Sequence, residues 1–118
     1  MIKNIGERVY IDLPDGSRRY VGTRRGTTLV RRLDFRKHLL RKENALGIDD
    51  RLLDRVDIEW IVVIDREKDP AYIVSRAVYR KEGVVMRYDG YEAQRFLPLR
   101  WWNKVALKDV WRHTLDKK

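Results

Sequence analysis

The chain has 118 residues, enough for one domain spanning 1–118, and its four Trp, six Tyr and two Phe can fill a substantial core. It has no cysteine, which removes disulfides, thiolate metal sites and Cys nucleophiles. Its 27 Lys and Arg against 18 Asp and Glu give a formal charge of +9, and twelve of the basic but only four of the acidic residues fall in residues 1–42. Nearly the whole surplus therefore lies in the first third of the chain, where it forms a field that attracts polyanions. Arg outnumbers Lys by 18 to 9, which suits bidentate contacts to phosphate. The longest apolar run, Trp60 to Ile64, is far too short to cross a bilayer, and the first seven residues contain no apolar leader. These features predict a soluble, cytoplasmic protein with no membrane partner.

Taken in chain order, Arg8–Leu13 alternates, with Val9, Ile11 and Leu13 on one face and Tyr10 and Asp12 on the other. Pro14-Asp15-Gly16-Ser17 is a strong turn signal, and Arg18–Thr23 reads as the returning strand of a hairpin. After a second turn at Arg24-Arg25-Gly26, Thr27–Leu33 gives a third strand. Asp34 can cap a helix running to about Leu46, because Phe35, Leu39 and Leu46 recur at helical spacing. Lys37, Arg41 and Asn44 would then project from the opposite face, and Gly47 would close the helix. Asp49 or Asp50 caps a short second helix carrying Leu52, Leu53 and Val56.

Ile58–Ile64 is the clearest strand, β-branched and apolar on both faces except at Glu59, as a central strand requires. Ala71–Val74 is its hairpin partner across a polar loop. Ser75 caps Arg76–Glu82, and Gly83 ends that helix. Val84–Tyr88 and Tyr91–Leu97 read as a hairpin around Asp89-Gly90. Lys104–Leu115, with Leu107, Val110, Trp111 and Leu115, predicts a final helix. The expected class is α+β: a basic N-terminal β-meander and helix packed on a mixed or antiparallel sheet, with a C-terminal helix.

The basic candidates for a nucleic-acid site are Arg18, Arg19, Arg24, Arg25, Arg31, Arg32, Lys37 and Arg41. Adjacent residues of a strand point to opposite faces, so only one member each of Arg18-Arg19 and Arg31-Arg32 can share a sheet face. The competing use is a solvated surface paired with acids of the same chain. The aromatic candidates are Trp101 and Trp102, flanked by Arg95 and Arg100. They can stack on bases, but core packing is their ordinary use, and adjacent residues cannot both serve one face.

The acids Asp49, Asp50, Asp54, Asp57, Glu59, Asp65, Glu67 and Asp69 invite comparison with a metal-dependent nuclease. Glu67-Lys68 lacks the residue that would place a carboxylate and a lysine on the same strand face. Caps and ion pairs account for these acids better. His38 and His113 have no metal-ligand spacing. Two helices meeting at Gly47 have a helix-turn-helix outline, but the second is acidic and unsuited to a DNA groove.

No catalytic motif, cofactor motif or metal-ligand set emerges. The expectation is a small, non-catalytic DNA- or RNA-binding protein that contacts mainly the phosphate backbone. The alternative is a protein-interaction or self-associating module that meets an acidic partner through the same arginines and a C-terminal Trp/Tyr cluster. A metal-dependent nuclease is the third reading.

Overall fold

The structure is a computed structural model that describes residues 6–40, 44–86 and 94–114. The expected N-terminal meander forms as β1 (Glu7–Asp12), β2 (Arg18–Arg25) and β3 (Thr28–Leu33), with Arg24 and Arg25, expected in a turn, paired in β2 against Leu29 and Thr28. The β1–β2 turn is closed by the Asp15 carboxylate, which accepts from the Ser17 amide at 2.9 Å and from its hydroxyl at 2.5 Å. Gly16 there takes φ +87°, a conformation that costs glycine nothing.

The next segment departs from expectation. α1 spans only Phe35–His38, with Asp34 as its cap, and the chain then turns into β4 (Leu39–Leu40) and β5 (Ala45–Asp49). The predicted helix to Leu46 is therefore corrected. Leu39 and Leu46 meet, but as directly opposed residues of an antiparallel pair rather than on one helix face. Gly47 is a strand residue, and a Cβ there would lie 2.4 Å from the Phe96 ring. Its side-chain-free surface is needed for that ring, not for a helix end. Asp49 caps a 3-10 turn, Asp50–Asp54, that buries Leu52 and Leu53.

β6 (Trp60–Asp65) and β7 (Ala71–Ser75) form the expected hairpin. Ser75 caps α2 (Arg76–Glu82) by accepting from the Val78 amide at 3.1 Å. β8 (Val84–Met86) pairs antiparallel with β9 (Gln94–Pro98), while the expected turn at Asp89-Gly90 lies outside the described residues. The predicted C-terminal helix is also cut down. Its start becomes β10 (Asn103–Val105), Leu107–Asp109 is a 3-10 turn, and α3 covers Val110–Thr114.

Strands dominate and the helices are small, so the α+β class is corrected to a mostly β architecture of two sheets. The meander is not a separate layer. It is half of a six-stranded mixed sheet ordered β1-β2-β3-β6-β7-β10, in which β3 and β6 are parallel and all other pairs antiparallel. The second sheet, ordered β4-β5-β9-β8, is antiparallel throughout.

Both faces of β6 are buried, as its continuous apolar run predicts. Ile61 and Val63 face the core shared with Leu46, Ile48, Leu97 and Tyr79, while Val62 and Ile64 face a second cluster closed by Val105, Leu107 and Val110. Tyr79 ties the layers together. Its hydroxyl lies 2.7 Å from the Leu46 carbonyl and 2.6 Å from that of Arg95, on neighbouring strands β5 and β9, and its ring meets Trp102 edge-on at 5.5 Å. Burial pushes that phenol far above its usual pKa, so it remains a donor. Among the described residues no helix is long and apolar enough to cross a membrane.

Candidate nucleic-acid interface

The meander presents one face to the second sheet and one outward. In β1, Val9 and Ile11 enter the inter-sheet core, so alternation turns Arg8, Tyr10 and Asp12 outward. In β2 the count is broken. Val9 lies opposite Gly22 but Tyr10 lies opposite Tyr20, so Val21 is the extra residue of a bulge. Gly22 takes φ +151°, and a Cβ on it would lie 2.4 Å from the Val30 carbonyl oxygen. The bulge inverts the parity of β2. Before it, Arg18 and Tyr20 face outward and Arg19 inward; after it, Thr23 and Arg25 face outward and Arg24 inward.

All three arginine doublets are divided in this way. Arg19 turns to the buried Asp49 carboxylate, 3.3 Å away, which Arg51 also holds at 2.8 Å. Burial works against that carboxylate's charge, but its hydrogen bonds from Arg51 prevail and keep its pKa below the usual range. Arg24 pairs with Glu7 at 3.1 Å and with Asp57. Asp57 is also gripped by Arg55 at 2.9 and 2.7 Å, and the Arg55 hydrogen bonds depress its pKa. Arg31 points between the layers and donates from Nε to the Val21 carbonyl at 2.8 Å; burial lowers its pKa. These three arginines hold the scaffold together.

The outward members are Arg18, Arg25 and Arg32. The Arg18 guanidinium lies 4.4 Å from the Tyr10 ring centroid, Tyr10 meets Tyr20 edge-on at 5.9 Å, and Arg8 sits 6.0 Å from the Tyr20 ring. The four side chains form a ladder across β1 and β2, two aromatics in edge contact with a cation at each end. Arg25 lies 5.2 Å from the Trp111 ring, where the C-terminal segment covers the neighbouring strands. Arg32 pairs with Glu67 at 2.5 Å, and Asp12 stands 4.0 Å from Arg18. Among the described residues, neither Arg8 nor Arg25 forms an ion pair.

The remaining candidates lie elsewhere. Lys37 is exposed on α1, which packs through Phe35 against the inter-sheet core, on the side away from the ladder. Arg41 lies outside the described residues, as do Tyr88 and Tyr91 of the C-terminal aromatic cluster and the side chains of His38 and His113. Trp102 is buried, and its indole donates to the Leu97 carbonyl at 3.2 Å. Trp101 is 41% exposed, but it leads into β10, at the opposite end of the sheet order from β1.

The acidic middle is dispersed. Asp50 accepts from Arg95 at 2.7 Å, Asp54 from Arg80 at 2.9 Å, Asp65 from the Phe35 amide at 3.2 Å and Asp69 from the Leu107 amide at 2.7 Å. Among the described residues no three His, Asp or Glu side chains converge as a metal site would require.

Sequence reasoning missed Arg8, Tyr10 and Tyr20 as site residues. The alternation of β1 already turned Tyr10 away from Val9 and Ile11; what it lacked was the register that sets Tyr20 beside it. No family model matches the chain, and no curated protein or solved structure matches it either.

Proposed function

We propose that this protein binds nucleic acid without cleaving it, through the outward face of β1, β2 and β3. One observation supports the reading above others: Arg8, Arg18, Arg25 and Arg32 share one face of the sheet, while their strand neighbours Arg19, Arg24 and Arg31 turn to the other face and bond to groups of the chain itself. Arginines at several points of one sheet face can track successive phosphates. Asp12 and Glu67 are the acids on or beside that face, and they temper the field without cancelling it.

The test is a salt titration of binding to short DNA and RNA, single- and double-stranded. Changing Arg8, Arg18 and Arg25 together to Gln should weaken binding to every sequence alike. It should reduce the magnitude of the log K against log salt slope by about 2–3, at roughly 0.7–0.9 per phosphate contact. A wild-type slope in the triple variant, or no binding at low salt by the wild type, would sink the reading. Salt-sensitive capture of an acidic protein with no binding to nucleic acid would transfer the arginines to the protein-interaction alternative.

A further inference from the structure

We propose that Tyr20, backed by Tyr10, is a stacking platform for unpaired nucleobases, which makes the ligand a single strand rather than a duplex. The inference rests on the nucleic-acid reading above and assigns a chemistry to the same face. It starts from a side chain that folding does not explain. Tyr20 is 51% exposed, on a strand that buries Val21 and Gly22 directly after it. The cross-strand aromatic contact that stabilises a hairpin is already made by one ring edge against Tyr10. About half of the Tyr20 side chain is left open to solvent.

The surroundings suit a planar ligand. On one side of Tyr20 lies a depression of about 460 Å³ lined by Gly6, Arg8, Tyr10 and Thr23 as well as Tyr20 itself. On the other side lies a second depression of about 230 Å³ that Tyr20 shares with Val21, Gly22, Val30, Arg31 and Arg32. The second exists because β2 and β3 part company. Their pairing ends at Thr23 opposite Val30, whereas β1 and β2 stay paired to Asp12 opposite Arg18. Tyr20 is thus a wall between two hollows, each flanked by an outward arginine, Arg8 on one side and Arg32 on the other.

Bases stack on aromatic rings whatever their sequence, because every base has a π-face, and arginines beside the ring hold the backbone. Arg8 sits at the outer limit of cation–π distance, so an entering base displaces a weak contact. In a duplex the π-faces are already occupied by neighbouring bases. A duplex could offer only its phosphates or a groove edge to this surface.

The test compares three probes of equal length by fluorescence anisotropy: a single strand, a duplex, and an abasic strand that keeps the phosphates but lacks the bases. Each is made as DNA, and the single strand also as RNA. Wild type should bind the single strand about 5- to 150-fold more tightly than the abasic strand, the range of one stacked base. Tyr20→Ala should remove that advantage and leave the salt slope unchanged, while Tyr20→Phe should retain it. Equal affinity of the wild type for single and abasic strands would overturn the stacking role, and so would a duplex that binds as tightly as the single strand. The abasic comparison uses the unmodified protein, so it stands even if a variant folds poorly. Slope-changing arginine variants with no stacking advantage would leave the phosphate reading intact. Loss of all salt-dependent binding would remove both.

Discussion

Arg24 and Arg25 are adjacent, chemically identical and opposite in assignment, so exchanging each singly for Gln tests the orientation of β2 directly. Arg24 is 24% exposed and joins Glu7 to Asp57. Losing it does not orphan Asp57, because Arg55 keeps both of its hydrogen bonds. Glu7, 70% exposed, returns to water. The cost should therefore be that of a partly solvated ion pair, about 0.5–1 kcal/mol, or roughly 2–6 °C in Tm for a domain of this size. The salt slope for nucleic acid should stay at the wild-type value. Arg25 is exposed over the Trp111 ring, and replacing it should cost about 0.5–1 kcal/mol of cation–π contact at most. It should also lower the magnitude of the slope by about 0.7–0.9. Thermal melts and salt titrations on both variants decide the matter. If Arg24→Gln lowers the slope as much as Arg25→Gln does, the bulge does not sort these side chains and the proposed face is wrong.

Ile61 has no exposed surface and lies on the parallel strand at the centre of the six-stranded sheet, so Ile61→Ala should cost about 2–5 kcal/mol through the cavity it leaves. A denaturant midpoint equal to the wild type's would reject the two-layer core. Acid should destabilise the protein through carboxylates held below their ordinary pKa: Asp34 by hydrogen bonds from Arg36 and Arg66, Asp57 by those from Arg55, and Asp49 by those from Arg51 against the cost of its burial. A folded-state pKa below the unfolded value of about 3.9 gives stability that is present above that value and lost as pH falls through the folded one. Unfolding midpoints should thus fall steeply below about pH 4, and less steeply in Asp49→Asn; a flat profile would contradict these pairings.

What the sequence made legible follows from what a strand's period can carry. Alternation in Arg8–Leu13 and the apolar segment Ile58–Ile64 each named a strand, because burial on one face or on both leaves a one-dimensional signature. The segment after Asp34 misled because Phe35, Leu39 and Leu46 fit a helix as well as they fit a hairpin that sets Leu39 against Leu46; only the partner strand β9 decides between them. The site was hidden for a stricter reason. Arg24 follows Arg18 at an even offset, i+6, so a regular strand would set them on one face with Tyr20 and send Arg25 inside. One added residue at Val21, tolerated because Gly22 follows it, reverses everything downstream. Composition could therefore count the arginines but not sort them. The sorting divides the surplus of charge into an inner set, Arg19, Arg24 and Arg31, that binds the chain to itself and an outer set, Arg8, Arg18, Arg25 and Arg32, on the face that carries Tyr10 and Tyr20.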